Sequence, residues 1–318
     1  MIEYFFFLAG IVLLIEGAKL LVSSSSSLAK KIGVSSFIIG LTIVATGTSM
    51  PELIINLFSA IKGQTEIALG NVIGSNIANI LLVLGVVAIL SPLKIHKSTI
   101  WKEIPLGILA AFVLLVVAND KSIDNVISSI SRTDGIVMLF FFLIFIYYVY
   151  EAAKKREIRI EEETIEIEKR KLSSIIFLFV IGILLLYLGG KFIVENAVII
   201  ASNLGISKFL ISAFVIALGT SLPELATSIA AVSKKDLDLA VGNVVGSNIF
   251  NIFWVLGLTA SISPIKVPSF INFDIFFLII SSLLLFIFAL KDPKIKKERG
   301  LILIILYITY IAIILRRG

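Results

Sequence analysis

The sequence predicts an all-α membrane protein of ten transmembrane helices, arranged as two inverted five-helix repeats. Three observations carry that expectation. First, hydrophobic residues make up 58% of the 318 positions and charged residues 16%, with a mean hydropathy of +1.07. A soluble chain has roughly 45–50% apolar and about 25% charged residues, so this one lacks the polar surface to cover a water-soluble body. Second, apolar runs of about the 17–25 residues needed to cross a bilayer recur along the chain. Third, residues 33–95 align without a gap to residues 205–267 at a constant offset of 172, with about 29 identities in 63 positions. Five spans per half is an odd number, so the second copy enters the membrane upside down relative to the first.

The expected spans of the first half are Tyr4–Val22, Phe37–Ile61, Ile67–Leu90, Trp101–Ala118 and Gly135–Tyr150. Those of the second are Ser174–Ala197, Phe209–Ser233, Leu239–Ile262, Phe270–Leu290 and Leu301–Leu315. The amino terminus does not read as a secretory signal, because Glu3 replaces a basic start and the apolar run continues to Val22. Residues 1–153 form the first repeat, 154–172 a cytoplasmic linker and 173–318 the second repeat. The linker alternates acidic and basic residues around Ile158, Ile160, Ile165 and Ile167, as a solvated connection does.

Loops after odd-numbered spans, with Lys102 at the edge of the fourth span counted among them, carry 19 lysines and arginines, against about 7 on the other side. The positive-inside rule then puts both termini outside a cell membrane and the linker in the cytoplasm. The net charge of +6 is thereby used to orient helices in the lipid bilayer and does not point to nucleic acid. With no cysteine, disulfides and thiolate metal sites are excluded. Ser23–Ser27 reads as a polar exit from span 1 and His96 as a surface residue. Trp101 reads as an interfacial anchor and Trp254 as packing.

The repeat is densest in polar stretches at membrane depth. Gly47-Thr48-Ser49-Met50-Pro51-Glu52 lies in span 2, and Gly219-Thr220-Ser221-Leu222-Pro223-Glu224 in span 7. Gly70-Asn71-Val72-Ile73-Gly74-Ser75-Asn76 opens span 3 and continues to Asn79, while Gly242 to Asn248 opens span 8 and continues to Asn251. Proline donates no backbone hydrogen bond, so Pro51 frees the carbonyl of Gly47, and Pro223 that of Gly219. Freed backbone is tolerated at membrane depth where it is buried in protein or lines a wet cavity. Helical spacing puts Ala45, Thr48, Ser49 and Glu52 on one face, Ala217, Thr220, Ser221 and Glu224 on its counterpart, and Asn71, Ser75 and Asn79 on another.

Every side chain on these faces except those of Ala45 and Ala217 offers oxygen. A glutamate at mid-span costs about 2.5–3.5 kcal/mol on insertion scales. Two carboxylates ~5 Å apart repel by roughly 3 kcal/mol at an effective dielectric of 20. A divalent cation between them reverses that repulsion. Calcium prefers six to eight oxygen ligands, and the softer ligands that favour zinc or copper are absent from these motifs.

At these motifs the sequence resembles the cation/calcium antiporters, specifically prokaryotic sodium/calcium exchangers. The resemblance covers essentially the whole chain, and G-T-S-x-P-E and G-N-x-x-G-S-N each occur twice. It implies a central cluster of four sites, one for calcium and up to three for sodium, with no cofactor and no obligate protein partner. Calcium would contact Glu52, Glu224 and the backbone of Thr48 and Thr220. Sodium would additionally use Ala45, Ser49, Ser75, Asn79, Ala217, Ser221, Ser247 and Asn251. Potassium-dependent members carry aspartate where this chain has Asn251, and proton-coupled ones carry G-N-A-T-E in place of the proline motif. The expected function is therefore sodium/calcium antiport by alternating access, with proton- or potassium-coupled calcium antiport as the alternative. An enzyme is not expected, since there is no H-E-x-x-H helix and no nucleophile–base pair. A dense two-carboxylate trap also suits a channel poorly.

Overall fold

The structure, a computed structural model, describes residues 2–120, 128–154, 170–204, 219–268 and 270–317. Eleven helices organise them: α1 (Ile2–Ile32), α2 (Ser36–Thr48), α3 (Met50–Ile61), α4 (Ile67–Leu90), α5 (Lys97–Val117) and α6 (Arg132–Lys154). The remainder are α7 (Leu172–Asn203), α8 (Leu222–Ser233), α9 (Leu237–Ile262), α10 (Ile271–Lys291) and α11 (Lys297–Arg317). Among the described residues eight single helices, and the α2–α3 pair bent by 41°, are long and apolar enough to cross a membrane. The chain is a multi-pass all-α membrane protein. Expected span Phe209–Ser233 is represented by α8, its earlier part lying outside the described residues, as does most of the expected linker.

The centre of the bundle is set by α4 and α9. Buried positions make up 78% and 89% of their most apolar windows, against 22–44% for the other single spans. Those two helices carry the repeated asparagines and serines, which can be packed centrally only if they find partners there. Each contains a π-helical turn, Asn79–Val83 in α4 and Phe250–Leu256 in α9. A third, Gly40–Val44, lies in α2. Such turns shift side-chain register within a helix and often mark functional sites.

Close helix approach follows from glycine. Helices α1 and α7 are antiparallel neighbours: a Cβ added at Gly10 would lie 2.9 Å from Gly189 O, and one at Gly17 2.9 Å from Gly182 O. Helix α9 crosses α2 at its π turn, where a Cβ on Gly246 would lie 2.3 Å from Leu41 O.

Helix α1 is longer than the expected Tyr4–Val22. The serine run does not leave the membrane protein body; it continues the helix, with Ser24 and Ser25 fully buried. Ser24 Oγ donates to Leu20 O and Leu21 O, at 2.8 and 3.0 Å, so the hydroxyl is satisfied within the helix itself. Near the end of α1, Ser26 Oγ donates to Asp236 Oδ2 (2.8 Å) and Lys234 Nζ donates to Lys19 O (3.1 Å), tying α1 to the α8–α9 turn. Asp236 also caps α9, accepting from Leu239 N.

Two short antiparallel ribbons join the halves. β1 (Leu93–Lys94) pairs with β4 (Lys294–Ile295), and β2 (Ser129–Ile130) with β3 (Ile265–Lys266). His96 Nε2 lies 3.0 Å from both Asp238 oxygens, so the histidine is at the surface yet engaged across the two halves. Trp101 is 65% exposed, with its ring edge-on to Phe286. Trp254 packs between Phe142 and Phe250.

Candidate functional site

Helix α2 ends at Thr48, and Ser49 leaves helical geometry (φ −86°, ψ 5°) before α3 restarts with Pro51 in its first turn. Ser221 has the same backbone geometry (φ −85°, ψ 0°) ahead of α8 and Pro223. The backbone bonds at the two helix starts correspond: Leu53 N donates to Ser49 O (3.1 Å) and Leu225 N to Ser221 O (3.0 Å). Both glutamates thus fall in the first turn of a helix, where the free N–H groups favour negative charge. Both Glu52 and Glu224 are fully buried.

Around them the structure gathers Ala45, Thr48, Ser49, Ser75, Asn79, Thr220, Ser221, Ser247 and Asn251, each at most 8% exposed. Ala217 lies outside the described residues. The hydrogen bonds run between the halves and come in repeat-related pairs. Thr48 Oγ1 donates to Asn243 Oδ1 (3.0 Å), and Thr220 Oγ1 to Asn71 Oδ1 (3.1 Å). The Thr48 and Ser247 hydroxyls lie 3.4 Å apart, those of Thr220 and Ser75 2.8 Å. Asn79 Nδ2 donates to Asn248 Oδ1, and Asn251 Nδ2 to Asn76 Oδ1, both at 3.1 Å. Every one of these pairs differs by the offset of 172 seen in the sequence.

These bonds consume donors and leave acceptors over. Glu52 Oε1 and Oε2, Glu224 Oε2, Asn79 Oδ1, Asn251 Oδ1 and Ser221 Oγ are buried oxygens with no hydrogen-bond partner. Ser49 Oγ reaches Glu224 Oε1 only at 3.5 Å. Ser75 and Thr220 lie beside the Glu52 carboxyl without closing a hydrogen bond to it, and Glu52 is within electrostatic reach of Glu224. A buried acceptor left unpaired costs about 1–3 kcal/mol, and more when charged. Oxygens clustered this way suit a hard cation. Among the described residues no three of His, Cys, Asp and Glu converge as a metal site, so the charge here comes from two carboxylates and the rest from neutral oxygen. Asn56 Nδ2 and Asn243 Nδ2 are unpaired donors at its edge.

A cavity of about 330 Å³ lies between α3, α4, α7 and α8, lined in part by Pro51, Asn71, Gly190, Lys191, Thr220 and Pro223. It connects the cluster to the surface, since Lys191 and its neighbour Glu195 are about half exposed.

Sequence reasoning placed the two motif faces together but missed the residues that brace them. Asn76 and Asn248 bind the amides of Asn251 and Asn79, and Asn76 Nδ2 also donates to Asn248 O (3.1 Å). Their signal was available, because both end a twice-repeated motif. Asn56, fully buried, accepts from Asn71 Nδ2 (2.8 Å). It had no such signal, since its repeat counterpart is Ser228.

A multi-pass helical bundle with broken helices and a buried, oxygen-lined two-carboxylate cluster belongs to the class of ion-translocating membrane proteins. The family described as sodium/calcium exchanger protein matches residues 2–151 and 174–316. The chain belongs to that family, in its prokaryotic form. It is 30% identical to the sodium/calcium exchanger MaX1 of Methanosarcina acetivorans, over 98% of both chains. It is 37% identical to the inner membrane protein YrbG of Escherichia coli, over 81% of this chain and 79% of that one. Its structure is similar to that of the sodium–calcium exchanger NCX_Mj soaked with sodium and strontium, with a TM-score of 0.83, 33% identity and 98% of each chain covered.

Proposed function

We propose that the chain exchanges sodium for calcium across the cell membrane by alternating access at the Glu52–Glu224 cluster. The observation that carries this reading is the set of buried oxygens without hydrogen-bond partners, contributed by both halves around two carboxylates. Calcium takes Glu52 and Glu224 with the Thr48 and Thr220 positions. Sodium uses these and Ala45, Ser49, Ser75, Asn79, Ala217, Ser221, Ser247 and Asn251. Both ions need the same two carboxylates, so they compete.

Ten spans in two inverted halves provide the frame, with residues 154–172 as the cytoplasmic linker and both termini outside. The antiparallel contacts of Gly10 with Gly189 and Gly17 with Gly182 support that inversion, because Gly10 and Gly182, like Gly17 and Gly189, are repeat counterparts. An empty site with two ionised glutamates is costly to enclose in a dry barrier, whereas calcium or sodium neutralises it. The switch is therefore easy when loaded and slow when empty. Helices α1 and α7, which pack mainly on each other, slide across the rest. The surface-connected cavity beside α7 and the Ser26–Asp236 tie at the end of α1 are consistent with access from one side at a time.

The test is calcium-45 uptake into proteoliposomes with sodium, proton and potassium gradients imposed separately. A sodium gradient alone is expected to drive uptake. Uptake driven only by protons or only with potassium present would replace this reading by its alternatives, and gradient-independent calcium flux would favour a channel.

A further inference from the structure

Glu103 is a third glutamate buried in the bundle, 1% exposed, in the second segment of α5 (Glu103–Val117). Its Oε1 accepts a hydrogen bond from the Tyr148 hydroxyl of α6. Its Oε2 is buried and closes no hydrogen bond, and the Thr99 hydroxyl one turn earlier lies beside the same carboxyl without closing one to it. Beside it lies a cavity of about 20 Å³, lined by Glu103, Gly107, Ser282, Asn76 and Asn248 among others. That volume accommodates one water molecule. It is open because Gly107, one turn on from Glu103, has no side chain: a Cβ there meets no described atom within 4 Å.

The far wall of this cavity is the pair that braces the ion cluster. Asn76 and Asn248 hold the amides of Asn251 and Asn79. The cavity is thus shared by the Glu103 carboxyl and the two asparagines that brace the cluster. The charged and titratable groups around it are few. Tyr148 faces it from α6, and Lys102, adjacent on α5, sits over the Tyr148 ring 5.7 Å from its centroid. Helices α4, α9 and α10 present only neutral side chains to the cavity.

We propose that Glu103 is a proton-binding site behind the transport cluster, coupled to it through one water and the Asn76–Asn248 pair. This rests on the antiport reading above. With a proton on Oε2, the carboxyl is neutral and donates to the cavity water. When the proton leaves to solvent water, past the exposed Lys102, a negative charge remains behind the cluster and holds its cations more tightly. Linkage makes the effect reciprocal: cations entering the cluster favour loss of the Glu103 proton. Rising pH therefore strengthens calcium binding, and acidification helps to release it.

The experiment is sodium-driven calcium-45 uptake into proteoliposomes from acid to alkaline pH, in wild type, Glu103→Gln and Gly107→Ala. Glutamine keeps the shape and an acceptor for Tyr148 but cannot ionise. Its apparent KM for calcium should equal that of wild type at acid pH and be roughly tenfold higher at alkaline pH, a typical inter-site coupling. Gly107→Ala fills the cavity without a clash and removes the water that solvates the anion, so the midpoint of this pH component should move to higher pH. An infrared band of a protonated carboxyl that bleaches on alkalinisation, and is missing in Glu103→Gln, would support the assignment independently of transport. Superimposable pH profiles for wild type and Glu103→Gln would overturn the proposal. If that variant fails to fold, an unshifted profile in Gly107→Ala overturns it. Absence of sodium-driven uptake in the wild type at every pH would overturn the antiport reading itself.

Discussion

Replacing Gly246 by alanine tests how closely the two halves must approach for the site to exist. The new Cβ would lie 2.3 Å from Leu41 O, 2.8 Å from Leu41 C and 2.9 Å from the Ala45 Cβ. Carbon–oxygen contacts settle at about 3.3–3.6 Å, so α9 must retreat from α2 by about 1 Å. The obstacle is backbone within a π turn, which cannot swing aside as a side chain does. Overpacking of this kind costs about 1–3 kcal/mol, and alanine's better helix propensity returns roughly 0.8–1 kcal/mol. A net loss of up to about 2 kcal/mol is expected. The same retreat stretches the 3.0 Å bond from Thr48 Oγ1 to Asn243 Oδ1 beyond hydrogen-bond range. Losing it removes about 1 kcal/mol of ordering at the site, roughly a fivefold change in affinity. Thermal unfolding in detergent measures the first effect, and the apparent calcium KM of sodium-driven uptake the second. Gly107→Ala, where the Cβ meets no described atom, is the control for stability. Wild-type stability and wild-type KM in Gly246→Ala would refute the reasoning.

Three further outcomes are expected. Glu52→Gln and Glu224→Gln should each abolish calcium exchange while leaving a folded protein, checked by size-exclusion profile and calcium-45 uptake; transport at the wild-type rate by either would remove the proposed site. Exchange should be unchanged when potassium is replaced by an inert cation, because Asn251 supplies a neutral amide, bonded to Asn76, where the family resemblance implies an acid for potassium dependence; a strict potassium requirement would contradict this. If three sodium ions exchange for one calcium, clamping the membrane potential should bias the flux by about 2.3 kcal/mol per 100 mV, and voltage-independent uptake would favour two sodium ions per calcium.

The linear sequence by itself determined the membrane class, nearly all span positions and the motif residues. Bilayer thickness imposes a length that hydropathy reports directly, and a duplication of 29 identities in 63 positions survives in the residues that chemistry constrains. Pro51 likewise announced the break between α2 and α3, and Pro223 the start of α8, because a missing N–H acts locally. What lay beyond it depended on partners distant in the chain. The serine run read as a polar exit from the span; α1 instead continues through it, with Ser24 bonded to the helix's own carbonyls and the run packed against α8. No periodicity signals the π turns, which arise where α2, α4 and α9 adjust their register against one another. Glu103 is one acid at a span's edge in the sequence, and only the folding of α4, α5, α9 and α10 around Gly107 puts a water-sized cavity between it and the asparagines. Local rules fix which residues can break a helix or enter a bilayer. Which acceptors remain unpaired in the middle is decided by how two copies of the same motif cross, and that is a property of the tertiary structure alone.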